Sequence, residues 1–133
     1  MNGYSVQVYS RTKDGDKKLS EHFRVREFAS TGGEDTLFVA PKLVEVLEQI
    51  RMHFGKAVIV NSGYRTEARN KAVGGATYSQ HQYGTAADIR ISGVAPKDVA
   101  AYAETLLPNT GGIGTYASFT HIDVRNNKSR WKG

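Results

Sequence analysis

The sequence has no cysteine among its 133 residues. That absence excludes a disulfide scaffold, a Cys-ligated zinc module, an iron–sulfur site and a thiol nucleophile. It does not fix the redox compartment, because a cysteine-free protein works in either setting. Long hydrophobic runs are missing too: short ones such as Ala57–Val60 fall far below what a bilayer span needs. Met1 to Ser10 has no basic segment followed by an apolar one, so no signal peptide is visible. The expectation is a protein that stays cytoplasmic, leaves by another route, or is seen here in a mature or shortened form. Internal repeats and low-complexity tracts are absent as well.

What remains is the composition of one globular domain, with 39% hydrophobic and 23% charged residues. A chain of this size buries roughly two-thirds of its unfolded surface, enough for a core without staples. Eighteen Lys/Arg against thirteen Asp/Glu give a net charge of +5. Such a balance favours polyanionic partners, whether nucleic acid, anionic lipid or an anionic cell wall. The basic residues are scattered, however, with the densest groups at Lys17–Lys18 and at Lys128, Arg130 and Lys132. No recognition motif accompanies them, so neither a nucleic-acid partner nor membrane insertion is expected.

Hydrophobic spacing outlines an α+β fold, a small antiparallel sheet with helices packed on one side. Residues 1–22 read as a loosely structured N-terminal segment and about 23–131 as the core. Phe23, Val25 and Phe28 are the early apolar anchors. Pro41 suits a helix's first turn, Leu43, Val46, Leu47, Ile50 and Phe54 follow at helical spacing, and Gly55 supplies a stop. Ala57–Val60 reads as a strand buried on both faces. A short helix is expected from an N-cap at Thr66 to about Val73, then a strand over Ala86–Ile91. Pro96 opens a further helix, closed by Pro108-Asn109. Gly112–Tyr116 and Phe119–Val124 read as two strands joined at Ala117-Ser118. Period two puts His121, Asp123 and Arg125 on one face of the second.

Four histidines occur: His22, His53, His81 and His121. The first two read as ordinary hydrogen-bonded residues, His53 falling in the last turn of a helix, where an imidazolium suits the dipole. His81 and His121 differ in their company, with Asp88 seven residues after one and Asp123 two residues after the other. Two imidazoles and one carboxylate with an open fourth position would make a catalytic zinc site. On spacing alone, ordinary polar loop residues explain the same pattern.

The wording around these residues is more specific. Ser79–Asp88 reads Ser-x-His-x-x-Gly-x-Ala-x-Asp, with Ser62-Gly63-Tyr64-Arg65 upstream and His121-Ile122-Asp123 downstream. Together they resemble the M15 family of zinc D-Ala-D-Ala peptidases, over about Phe23 to Trp131. That family includes D,D-carboxypeptidases, D-Ala-D-Ala dipeptidases and endopeptidases of phage endolysins. The resemblance implies a hedgehog/D,D-peptidase-like fold and one Zn²⁺ held by His81, Asp88 and His121. It further implies hydrolysis of an amide bond in peptidoglycan stem or cross-link peptides, and so action at the bacterial cell wall. A phage or prophage origin would suit the small size and the missing leader; a monomer is expected.

By the same resemblance, Arg65 would stabilise an oxyanion or anchor the substrate, as a planar, many-donor guanidinium can. Much of the family carries an acidic residue three positions before the last histidine ligand, where this chain has Ser118. Asp123 is then the candidate general base, or else a residue that orients a ligand histidine. Ser79, Gln80, Tyr64 and Tyr83 are expected to line the cleft, where Asn70, Arg125 and Trp131 could join them. For Trp131 a lid over the core is the expectation. The rival reading is a non-catalytic zinc-containing module for cell-wall binding or signalling, since the hedgehog fold can keep a zinc without turnover.

Overall fold

A computed structural model describes residues 5–30, 34–76 and 79–133 of the chain. Strand β1 (Gln7–Ser10) leads into a single helical turn, α1 (Arg11–Asp14), whose first free amides are met by the Ser10 hydroxyl accepting from Lys13 N–H. Strands β2 (Lys18–Ser20) and β3 (Phe23–Arg24) pair antiparallel, and β4 (Thr36–Val39) returns to pair with β1. Of the loose segment expected over 1–22, residues 7–20 instead form two strands and a helical turn, while residues 1–4 lie outside the described residues. Their order comes from pairing with partners up to about thirty residues away, which local apolar content does not reveal. Phe23, Val25 and Phe28 are all buried, as their isolation in a polar stretch suggested.

Helix α2 (Pro41–Phe54) has proline at its start and Gly55 at its end in the left-handed conformation (φ 64°). The Gly55 N–H closes the last turn on the Arg51 carbonyl. Its buried stripe of Leu43, Val44, Val46, Leu47 and Ile50 forms one wall of the core. Helix α3 (Glu67–Ala72) begins where Thr66 accepts from Arg69 N–H. Helix α4 (Pro96–Leu106) buries Val99 and Ala103.

The main sheet has five strands: β5 (Ile59–Ser62), β6 (Ala86–Arg90), β7 (Gly112–Thr115), β8 (Thr120–Asp123) and β9 (Ser129–Lys132). Their order is β5-β6-β8-β7-β9, antiparallel except that β9 runs parallel to β7. The sheet is thus mixed rather than wholly antiparallel. Alternation sorts its two faces. Ala87, Ile89, Ile113, Ile122 and Val124 join the core with α2 and α4, and α4 packs on β7 and β8. Asp88, His121 and Asp123 point the other way.

Two strands depart from expectation. The β-branched run at 57–60 does lead into a strand, but β5 lies at the sheet edge with Ile59 well exposed, because only β6 pairs with it. Composition signals a strand without giving its place in the sheet. Strand β9, polar in sequence, is held by Arg130. Its guanidinium bonds both carboxylate oxygens of Glu104 on α4 and the Gly111 carbonyl. Trp131 then faces the opposite side from the core it was expected to cover. Among the described residues no helix is long and apolar enough to cross a membrane.

Candidate metal centre

Register assembles the centre. Asp88 on β6 lies directly opposite His121 on β8, so their side chains rise from the same face of neighbouring strands. His81 comes from a 3₁₀ turn, Gln80–Tyr83, that precedes β6. The Ser79 hydroxyl caps this turn by accepting from His81 N–H, and Gly84 ends it at φ 75°. A side chain at Gly84 would collide with the backbone of Phe38, so the glycine there answers both conformation and space.

The three side chains converge on one oxygen. His81 Nε2 is 3.3 Å and His121 Nδ1 3.1 Å from Asp88 Oδ1, and all three residues are buried. One ligand atom from each lies within 4.8 Å of the others. The outer nitrogen of each ring is already committed. His81 Nδ1–H donates to the Gly63 carbonyl at 2.7 Å, and His121 Nε2–H donates to Asp123 Oδ2 at 2.7 Å. Each imidazole is thereby held in the orientation that turns its second nitrogen toward Asp88, the nitrogen that would give up its proton to a metal. Two neutral imidazoles and one carboxylate, each braced from behind, fit a zinc ion. Among the described residues no other trio of His, Asp or Glu converges in this way.

Electrostatics in the metal-free chain follow from that crowding. Burial works to raise the Asp88 pKa, but hydrogen bonds from His121 and His81 outweigh it and hold the carboxyl well below its usual range. Burial opposes charging of His121, yet Asp123 and Asp88 on either side push its pKa up. For Asp123 burial again raises, while His121 and then Arg125 lower, and the carboxyl stays ionised.

Asp123 sits behind His121, on the opposite side of the imidazole from Asp88. It is fully buried. Oδ1 accepts from Gly112 N–H (2.9 Å), Arg125 N–H (3.1 Å) and Arg125 Nε–H (2.8 Å), and Oδ2 from His121 and Arg125 Nη2 (2.7 Å). Of the two roles open to it in the sequence, this geometry is that of the orienting residue. A base would need a free oxygen on the open side of the cluster, and both of its oxygens are taken.

Arg65 stands beside the cluster. Its Nη2 lies 3.3 Å from Asp88 Oδ2, its Nε donates to Ser62 Oγ (3.0 Å) and its Nη1 to Asn70 Oδ1 (3.2 Å). The backbone joins in, Arg65 N–H donating to the His81 carbonyl at 3.0 Å. Asn70 is buried, and its amide also donates to the Ala76 carbonyl, so it serves to brace Arg65.

A family model described as Peptidase M15 matches residues 18–123. The chain belongs to the M15 peptidase family. No curated protein matches it. M15 peptidases are zinc-dependent hydrolases, and among the described residues of this M15 chain the His81–Asp88–His121 group could hold such a metal. The match spans Arg65, all three cluster residues and Asp123, and ends before Arg125 and Trp131.

The remaining expected site residues divide. Ser79 and Gln80 are engaged in local structure, the first as the cap already described, the second with its side-chain Oε1 (2.8 Å) and its carbonyl (3.0 Å) sharing the single hydroxyl proton of Thr85. Tyr64 packs edge-on against Phe38, with ring centroids 5.4 Å apart. Tyr83 is exposed, two residues from His81. His22 bonds Glu48, and His53 stacks on Tyr102 at 3.7 Å, both outside the centre as expected. Sequence reasoning missed the bracing done by the Gly63 carbonyl and the part played by Gly112 and Gly114. These glycines alternate with Ile113 along β7, and side chains on them would overlap the Asp123 carboxylate and the Trp131 indole respectively. The one sequence signal was that alternation of glycine with a large apolar residue.

Proposed function

We propose that this chain is a zinc metallopeptidase that hydrolyses an amide bond in the stem or cross-link peptides of bacterial peptidoglycan, with activity of the D,D-carboxypeptidase or related endopeptidase type. The observation that carries the proposal is the convergence of His81 Nε2, Asp88 and His121 Nδ1, with the outer nitrogen of each imidazole already satisfied. A zinc ion held there supplies Lewis acidity, polarising a scissile carbonyl and making water acidic near neutral pH. His81, Asp88 and His121 bind it, and Asp123 keeps the His121 proton on Nε2 so that Nδ1 stays a donor of electrons. Arg65 has five N–H groups, of which three are engaged. The other two, on a guanidinium locked by Asn70 and Ser62, suit developing negative charge or a peptide carboxylate. Exposed Tyr83, two residues from His81, and Tyr64, next to Arg65 in sequence, would contact the substrate. The net charge of +5 assists encounter with anionic cell walls, where the protein would act.

The second reading, a zinc-containing wall-binding or signalling module without turnover, draws support from one observation. Asp123, the acid nearest in sequence to the last ligand, has both oxygens occupied. One experiment separates the two. The zinc-loaded protein is incubated with a defined pentapeptide and with cross-linked muropeptides, and products are read by mass spectrometry. The peptidase reading expects cleavage that chelator abolishes, zinc restores and His81→Ala lacks. Cleavage that persists at the parent rate in His81→Ala would refute it. Binding without product, in protein that retains zinc, would favour the module.

A further inference from the structure

Arg125 and Trp131 lie beyond the residues that match the family, yet both touch the machinery of the centre. The Arg125 side chain folds back from the end of β8 and grips Asp123 with two parallel bonds, Nε to Oδ1 at 2.8 Å and Nη2 to Oδ2 at 2.7 Å. Its guanidinium carbon lies 5.6 Å from the centre of the Trp131 ring. Trp131 in turn packs on His121, with ring centroids 4.9 Å apart and planes tilted by 51°. The contacts close on themselves: His121 to Asp123, Asp123 to Arg125, Arg125 to Trp131, and Trp131 back to His121.

Each link restrains the next. A carboxylate held at one point can turn about its Cβ–Cγ bond, whereas a two-pronged arginine fixes its plane and aims Oδ2 at Nε2. The indole holds the guanidinium by its π face and blocks one side of the imidazole. Its own position is set by the indole N–H donating to the Tyr116 hydroxyl at 2.8 Å, with Tyr116 stacked on Phe119 at 4.3 Å. Gly114 stands opposite both His121 and Trp131 in register, and the missing side chain there is what lets the indole lie down.

We infer that Arg125 and Trp131 are positioning residues for the metal centre, acting through Asp123 and directly on His121 to hold its Nδ1 toward Asp88. The inference rests on the metallopeptidase reading only for the identity of the metal. Supporting groups of this kind change metal affinity by about 10–100-fold when removed.

The test uses Arg125→Lys, which keeps the charge and loses the fork, together with Trp131→Ala and Trp131→Phe. Zinc affinity is measured by chelator competition. The His121 Nε2–H is followed by nitrogen-15 spectra of the metal-free protein, a readout that general loss of stability does not move while the chain stays folded. Arg125→Lys and Trp131→Ala are expected to weaken zinc by about 10–100-fold. Both should also lose the slowly exchanging Nε2–H signal, and Trp131→Phe should recover most of each. If Trp131→Ala does not fold, Arg125→Lys decides. Folded variants that keep the Nε2–H signal and bind zinc within twofold of the parent would overturn the inference. A parent that binds no zinc would refute the metallopeptidase reading instead, and the Nε2–H comparison would still decide this one.

Discussion

Replacing Gly112 by alanine probes how tightly the back of the centre is packed. A β-carbon there would stand 2.7 Å from Asp123 Cγ and 2.9 Å from Oδ1, closer than side chains tolerate. The obstacle is a fully buried carboxylate with five hydrogen bonds, so it cannot swing aside as a surface side chain would. Forcing an extra methyl into a packed interior costs about 1–3 kcal/mol. Displacing Asp123 also breaks or lengthens a bond to a charged group, worth about 1.5–3 kcal/mol. A total of about 2.5–6 kcal/mol follows. For a chain of 133 residues the unfolding entropy is about 0.28 kcal/mol/K, so Tm should fall by about 9–21 °C. Because His121 loses its brace, zinc affinity should fall by about 10–100-fold as well. Calorimetric melts in chelator and zinc competition measure the two effects. A Gly112→Ala variant that melts within about 2 °C of the parent and holds zinc normally would refute the packing argument.

Two further predictions bear on the same balance. Leu47→Ala, in the core wall and with no exposed surface, should cost about 2–5 kcal/mol and lower Tm by about 7–18 °C while leaving zinc affinity unchanged, which a melt and a metal titration would check. In metal-free protein the His121 pKa lies above its ordinary 6.5, so its stabilising contribution is complete below that pH and is lost as pH rises through the raised value; those of Asp88 and Asp123 are complete above about pH 4 and are lost as pH falls. Melts across pH 3–9 should therefore show metal-free Tm declining above neutrality while the gain from added zinc grows, and a metal-free Tm that climbs from pH 5 to pH 9 would contradict the assignment.

Much of this was legible before any coordinates. Pro41 and Gly55 bracket α2 because both residues act locally, one by fixing φ and the other by accepting a positive value. The period-two alternation of 119–125 set His121 and Asp123 on one face, as observed. It could not say which imidazole nitrogen meets which carboxylate, and that is what separates a base from a brace. Strands β1 and β4 escaped notice because their pairing spans some thirty residues, and β9 because Ser129–Lys132 looks like a charged tail until Arg130 meets Glu104. Arg65 was visible from its neighbours in sequence, whereas its restraint by Asn70 depends on the α3 turn bringing position 70 back to it.

The sequence contains one tryptophan, and its indole rests against a cluster imidazole. The protein's tryptophan emission therefore originates beside the centre and is a natural, label-free optical gauge of what occupies it. A paramagnetic ion seated there would darken that emission at close range, while unfolding would shift its colour.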